Sequence, residues 1–303
     1  MATLKWAHLF LLFFVISHPG ICTETRAGFF LPDDVSEVTI RFQSKNNLII
    51  LPVVINDSLK VNLILDTGCR NLILFGKKFQ RRLKTEPDRK IAFSGLGKGT
   101  GVVGKLSLNN KVSISTVIGK SIPVVLIPQP NLFAEFPNIH GVIGYDIFVK
   151  FEIEINPLKQ LISFRPASTA ILSQEYQKIP IRVEDSRPFV QSQIFLTDGD
   201  AQPYDLMLDT GSSLGLLVKT SRTKKLPNHK DARILGRGFN GSIIGIETTT
   251  KKILLNTLEI SSLHAGIIYS EWHNYASLGM EVMKDYSVVL NYCKSYAGFK
   301  KVL

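Results

Sequence analysis

Leu206-Met207-Leu208-Asp209-Thr210-Gly211-Ser212-Ser213 decides how this chain is read, because it occurs twice. Its echo, Leu63-Ile64-Leu65-Asp66-Thr67-Gly68-Cys69-Arg70, lies 143 residues earlier. In each copy three apolar residues, the signature of a buried strand, run into a carboxylate, a Thr and a Gly. A second apolar stretch follows, Asn71-Leu72-Ile73-Leu74-Phe75 in the first copy and Leu214-Gly215-Leu216-Leu217-Val218 in the second. An ionised Asp at the floor of an apolar strand is costly unless hydrogen bonds, a partner charge or a shared proton offset its burial. Two such acids in one chain are therefore expected to meet. Gly68 and Gly211 let the chain turn tightly and bring backbone N–H groups up to the carboxylates; Thr67 and Thr210 offer hydroxyls to lock the turns together.

One Asp-Thr-Gly alone reads equally well as a helix cap or an Asx turn. Here the surroundings repeat as well. Ile143-Gly144-Tyr145-Asp146-Ile147-Phe148 through Asn156 to Phe164 aligns without a gap on Leu278-Gly279-Met280-Glu281-Val282-Met283 through Asn291 to Phe299. Gly144/Gly279, Asn156/Asn291, Lys159/Lys294 and Phe164/Phe299 are identical, and Asp146/Glu281 is conservative. Between acid and tail each half carries a Gly-rich hairpin signal, Leu96 to Gly104 and Leu235 to Gly245. A repeat of about 140 residues is too long for a solenoid unit and reads as a duplicated domain.

The order of catalytic loop, hairpin and apolar-apolar-Gly segment resembles that of the aspartic proteases, whose hallmark is one Asp-Thr-Gly per lobe. The resemblance covers nearly the whole chain after residue 45. It implies an all-β fold of two pseudo-symmetric, retropepsin-like lobes, residues 28–168 and 169–303, with the active site between them. It implies that Asp66 and Asp209 are catalytic, supported by Thr67, Gly68, Thr210, Gly211 and Ser212. Flap hairpins around Gly97, Gly99, Gly236 and Gly238 would cover the substrate. Such an enzyme is an endopeptidase acting on a protein or peptide, needs no metal or other cofactor, and works as a monomer with both half-sites in one chain.

The chemistry follows from the pairing. Two carboxylates in hydrogen-bond reach cannot both ionise cheaply, so the pair holds one proton, and the aspartic-protease dyad is the standard case. The charged member activates a water while the protonated member polarises the scissile carbonyl. In pepsin-like members the residue after Asp-Thr-Gly donates a hydroxyl to its own Asp. Ser212 does this better than the weak S–H donor of Cys69, so the charge is expected on Asp209 and the proton on Asp66. Two departures from the family stand out. No Tyr occurs between Ile91 and Lys105 to cover the site, leaving Phe93 or Phe239 for that place. Arg70 stands where retropepsins have Asp and pepsins have Ser, and either binds a substrate carboxylate or pairs with a structural acid. A second reading, a catalytically inactive lobe pair that binds a peptide or glycan in the same cleft, stays open; the presence of both acids favours the enzyme.

Other chemistries find less support. The six His residues show no His-x-x-x-His spacing and there is no Cys-x-x-Cys, so a zinc site is not indicated. Neither Ser212 nor Ser213 lies in a Gly-x-Ser-x-Gly elbow. The net charge of +11 is spread over short pairs such as Lys77-Lys78 and Lys251-Lys252. That pattern reads as a solvated basic surface, and without interleaved aromatics or a binding motif it points away from nucleic acid.

Residues 1–22 read as a secretory signal peptide: a short basic end, an apolar core of about eleven residues and a breaker at Ser17-His18-Pro19-Gly20. The core is too short to span a bilayer of about 30 Å, so an exported protein, periplasmic or secreted, without a stable membrane span is expected; membrane anchoring is the alternative. Removal of the leader leaves Cys69 and Cys293, enough for one bridge at most. Strand signals fill the body, among them Asn47 to Ile55, Phe151 to Ile155 and Ser287 to Leu290, with hairpin turns at Asn56-Asp57-Ser58 and Asp198-Gly199-Asp200. Helical signal is confined to single turns at Asp146 to Val149 and Glu281 to Lys284 and a short helix over Ala170 to Lys178. Arg165-Pro166-Ala167-Ser168-Thr169 reads as the linker.

Overall fold

A computed structural model of the chain describes residues 27–86, 89–93, 101–129, 136–196, 201–220, 232–238, 241–270, 275–283 and 285–302. The fold is all-β. The first half contains β1 (Gly28–Phe30), β2 (Val38–Arg41), β3 (Gln43–Lys45), β4 (Leu48–Ile55), β5 (Leu59–Leu65), β6 (Leu72–Phe75), β7 (Lys90–Phe93), β8 (Val102–Ile114), β9 (Val117–Ile127), β10 (Gly141–Ile143), the single turn α1 (Tyr145–Phe148), β11 (Phe151–Asn156) and β12 (Leu161–Pro166). The second contains β13 (Gln177–Pro180), β14 (Arg182–Glu184), β15 (Arg187–Leu196), β16 (Gln202–Leu208), β17 (Leu216–Thr220), β18 (Arg233–Gly238), β19 (Gly241–Leu255), β20 (Leu258–Ser261), β21 (His264–Tyr269), β22 (Ala276–Leu278), α2 (Met280–Met283), β23 (Tyr286–Asn291) and β24 (Tyr296–Lys301).

The two halves build the same sheet. In the first the order β9-β6-β10-β5-β4 places β10 parallel to β5 and antiparallel to β6, with β6 parallel to β9. In the second the order β21-β17-β22-β16-β15 repeats this, with β22 parallel to β16, antiparallel to β17, and β17 parallel to β21. A long hairpin strand crosses back in each: β8 pairs with both β4 and β9, and β19 with both β15 and β21. Two-residue turns with positive φ at both positions, Asn46-Asn47 and Asp185-Ser186, start the repeat in each half. Such turns match the twist of the flanking strands, and Asn and Asp tolerate the left-handed region.

A six-stranded sheet joins the halves, in the order β13-β24-β23-β11-β12-β2, three strands from each. At its centre Ile153 opposes Leu290, Glu154 opposes Val289 and Ile155 opposes Val288. Under the repeat, Ile153 corresponds to Val288 and Ile155 to Leu290, so the pairing is its own mirror about Glu154 and Val289. The repeated Asn and Lys find the same use in both tails: Asn156 Oδ1 accepts the Lys159 amide, and Asn291 Oδ1 the Lys294 amide, each at 3.0 Å. One apolar cluster runs through both halves, from Phe29 to Phe299.

Two expectations need correction. No helix forms over Ala170 to Lys178; Gln177–Pro180 is strand β13, because pairing with β24 (Gln177 opposite Phe299, Pro180 opposite Tyr296) outweighs any local helical preference. Arg165 and Pro166 belong to β12 rather than to a linker. Arg165 is held by Glu152 (3.1 Å), Glu154 (2.8 Å) and Glu37 (3.1 Å), partners remote in sequence that anchor it in the joining sheet. Residues 1–22 and the turn expected at Asp198-Gly199-Asp200 lie outside the described residues. Among the described residues no helix is long and apolar enough to cross a membrane.

Candidate active site

β5 and β16 end side by side, and each delivers its Asp at the point where the chain turns. The Asp66 amide is held by the Ile143 carbonyl (2.9 Å) and the Asp209 amide by the Leu278 carbonyl (2.8 Å), so each apolar-apolar-Gly segment clamps the turn of its own half. Gly144 and Gly279 make that clamp close. A methyl on Gly144 would stand 1.8 Å from the Cys69 carbonyl oxygen, and one on Gly279 2.2 Å from that of Leu214. The next amides complete the seal, Tyr145 to the Cys69 carbonyl (2.9 Å) and Met280 to that of Ser212 (2.8 Å).

Across the halves the threonines interlock. Thr67 N–H donates to Thr210 Oγ1 (3.0 Å) and Thr210 N–H to Thr67 Oγ1 (2.9 Å). The hydroxyls then donate onward, Thr67 to the Leu208 carbonyl (2.6 Å) and Thr210 to the Leu65 carbonyl (2.8 Å). Both side chains are fully buried. The lock brings the carboxylates together. A methyl on Gly68 would lie 3.0 Å from Asp66 Oδ1 and 3.5 Å from Asp209 Oδ1, while one on Gly211 would fall 2.3 Å from the carboxyl carbon of Asp66. Each acid also accepts the amide of its own glycine, Gly68 to Asp66 Oδ1 at 2.7 Å and Gly211 to Asp209 Oδ1 at 3.1 Å.

The two acids differ in their surroundings. Burial pushes Asp66 up to about 7, and the negative charge of Asp209 adds to the rise; the Gly68 amide and Arg187 oppose it. Burial raises Asp209 too, but the nearby Lys219 is the largest opposing influence, followed by the Gly211 amide and Arg187. Asp66 thus takes the added push of its neighbour's charge while Asp209 feels the counter-pull of Lys219, and the hydroxyl difference expected between the two turns is not what separates them. The Ser212 hydroxyl accepts the Leu214 amide at 3.4 Å within its own turn, and the Cys69 thiol donates to the Asn71 carbonyl at 3.1 Å. Burial first, and then the charge of Asp66, push the Cys69 thiol far above its ordinary value, which leaves no nucleophile there. Cys69 is buried, Cys293 exposed, and both are free.

Lys219 and Arg187 were not singled out by the sequence. A signal for Lys219 was available: it is a lone charge inside the apolar run Leu216–Thr220, every residue of which is buried. Arg187 opens β15 and reaches the other half, its Nε donating to the Gly68 carbonyl at 3.5 Å, with Asp185 at 3.6 Å. No local pattern announces that contact. Arg70 is exposed and its charge acts on Asp146, whose carboxyl burial raises to about 6. Of the two roles open to Arg70, this favours pairing with a structural acid.

Gly97 and Gly99 lie outside the described residues, although the stem of their hairpin is present, with Phe93 opposite Val102. Phe93 packs on a second apolar cluster, around Ile73, Phe75 and Val125. Gly236 and Gly238 sit in β18, opposite Ile243 and Gly241, and Phe239 at the tip lies outside the described residues. Among the described residues no group of three or more His, Cys, Asp or Glu side chains converges to hold a metal. A comparison with protein-family models finds no match, and neither does one with curated proteins.

Proposed function

We propose that this chain is a single-chain aspartic endopeptidase of the retropepsin-like and pepsin-like kind, with Asp66 and Asp209 as its catalytic pair. The observation that carries the reading is the reciprocal Thr67–Thr210 lock, which seats two partly buried carboxylates against each other at the junction of two like sheets. In the proposed reaction the Asp209 carboxylate takes a proton from a water lying between the acids as that water attacks the scissile carbonyl. Protonated Asp66 donates to the carbonyl oxygen, and the resulting tetrahedral intermediate expels the amine after receiving a proton from the pair. The hairpins with stems β7–β8 and β18–β19, one in each half, would serve as the flaps for an extended peptide. The leader-like residues 1–22 support export, to a periplasm or to the exterior.

The test is a peptide library incubated at pH 4 to 7 with the wild type and with Asp209→Asn. Cleavage by the wild type alone supports the peptidase. A folded wild type that binds library peptides without cutting them supports the inactive binding protein in its place. Dilution checks assembly: specific activity should stay constant, because one chain holds both half-sites, and a fall would mean that association builds the site.

A further inference from the structure

β17 carries one charged side chain through an apolar wall. Leu216 and Val218 point into the main core, while Leu217 joins Ile243 and Ile268 beneath the β18–β19 hairpin. Strand alternation puts Lys219 on the side of Leu217. Lys219 is 1% exposed, its Nζ donates to Ser277 Oγ at 2.5 Å, and it lies 3.8 Å from the centroid of the Tyr275 ring. Ser277 precedes Leu278, whose carbonyl holds the Asp209 amide. The first half has nothing comparable: Phe75 stands at the corresponding position, its amide bonded to the His140 carbonyl as the Lys219 amide is to that of Tyr275, and the matching wall of Ile73, Phe75, Val125, Ile127 and Val142 is apolar.

Among the described residues this buried ammonium meets a hydroxyl and an aromatic face, and such a cation calls for a counter-charge. Among the described residues, the carboxylate acting on Lys219 is Asp209. The other charged or titratable groups around the pair are Arg187 from β15, Asp66 from the first turn, Tyr275 beside β22 and Tyr292 after β23. Arg187 acts on both acids and so does not distinguish them, and burial keeps both tyrosines neutral. The structure assigns to Lys219 the role of a positioning residue: a buried cation, oriented by Ser277, that holds the negative charge of the pair on Asp209 and leaves the shared proton on Asp66. The dyad is thereby polarised before substrate arrives, with the base fixed in the second half and the acid in the first. This rests on the peptidase reading for its kinetic consequence but not for its electrostatic one.

Two measurements test it. In the first, the pH profile of kcat/KM is recorded for the wild type, Lys219→Met and Lys219→Arg. Lys219→Met should raise the apparent pKa of the acid limb by about one unit, lowering activity about tenfold on that side, while Lys219→Arg keeps the limb near its wild-type place. A folded Lys219→Met with its acid limb unmoved overturns the assignment. The second needs neither activity nor the Met variant. Protein labelled with 13Cε-lysine is titrated by NMR, with the Lys219 signal assigned by its loss in Lys219→Arg. That ammonium, lowered by burial to about 8, should titrate lower still in Asp209→Asn and hold its place in Asp66→Asn. Equal movement in both variants, or none in either, contradicts the proposal even if no peptide is ever cleaved.

Discussion

Thr67 and Thr210 each donate a backbone N–H to the hydroxyl of the other, at 3.0 and 2.9 Å, and each hydroxyl donates a hydrogen bond to a carbonyl of the opposite half. Four hydrogen bonds thus close a ring across the junction with no solvent contact. Replacing Thr67 with Ala strands the buried Thr210 amide and Leu208 carbonyl, at a cost of about 2–4 kcal/mol. Thr67→Ser keeps the hydroxyl and should lose under about 1 kcal/mol. Urea unfolding of both variants measures the difference, and equal losses would show that the hydroxyl is not what matters.

The stability of the fold should depend on pH through Asp66. Its folded value, about 7, lies above its ordinary 3.8, so the folded state binds the proton more tightly than the unfolded one. The fold is therefore favoured below about pH 4 and loses that advantage as pH rises toward 7. Asp66→Asn, which cannot ionise, should be about as stable as the wild type at pH 3.5 and more stable at pH 8, by up to a few kcal/mol. Thermal unfolding across that range reads it. A gap that does not change with pH would mean that Asp66 keeps an ordinary carboxyl.

Glu152 is fully buried in the joining sheet, where it accepts Arg165 Nε (3.1 Å), Asn291 Nδ2 (3.1 Å) and the Tyr296 hydroxyl. Asn291 and Tyr296 come from the second half, so this acid ties the halves together. Glu152→Ala leaves three donors without their acceptor and should cost about 3 kcal/mol, with Glu152→Gln costing less because it still accepts. Denaturant titration distinguishes the two, and equal costs would indicate a packing role instead.

Gly144→Ala is expected to damage the site through the backbone of its turn, the added methyl falling 2.7 Å from the Asp66 carbonyl oxygen. The added methyl meets the Cys69 carbonyl at 1.8 Å, so the turn carrying Asp66 must shift away from its clamp. Stability should fall by about 1–3 kcal/mol and kcat should fall more than KM rises. Kinetics on a cleaved library peptide check this; an unchanged kcat would mean that the clamp does not set the geometry of the acid.

The repeat was legible because its residues do local work twice. Asp-Thr-Gly, the apolar-apolar-Gly segment and the Asn-to-Lys spacing each serve turns that recur in both halves, so identity of residue reported identity of structure. The charge asymmetry was not legible in the same way. Ser212 against Cys69 was the visible difference, yet Ser212 is turned to Leu214, and the difference that reaches Asp209 is Lys219. Ser212→Ala should accordingly leave the acid limb in place. Arg165 looked like linker because its partners, Glu37 and Glu152, are brought to it by sheet pairing alone. The start of β13, expected to close a short helix, misled for the same reason, its strand partner lying in β24 at the far end of the chain.

The measurement that bears most directly on the account is kcat/KM for a cleaved peptide with wild type, Asp66→Asn and Asp209→Asn, each shown by circular dichroism to be folded. The wild type should hydrolyse the peptide and each variant should lose at least about a thousandfold, since neither carboxyl can do the work of the other. Near wild-type hydrolysis by either folded variant would contradict it.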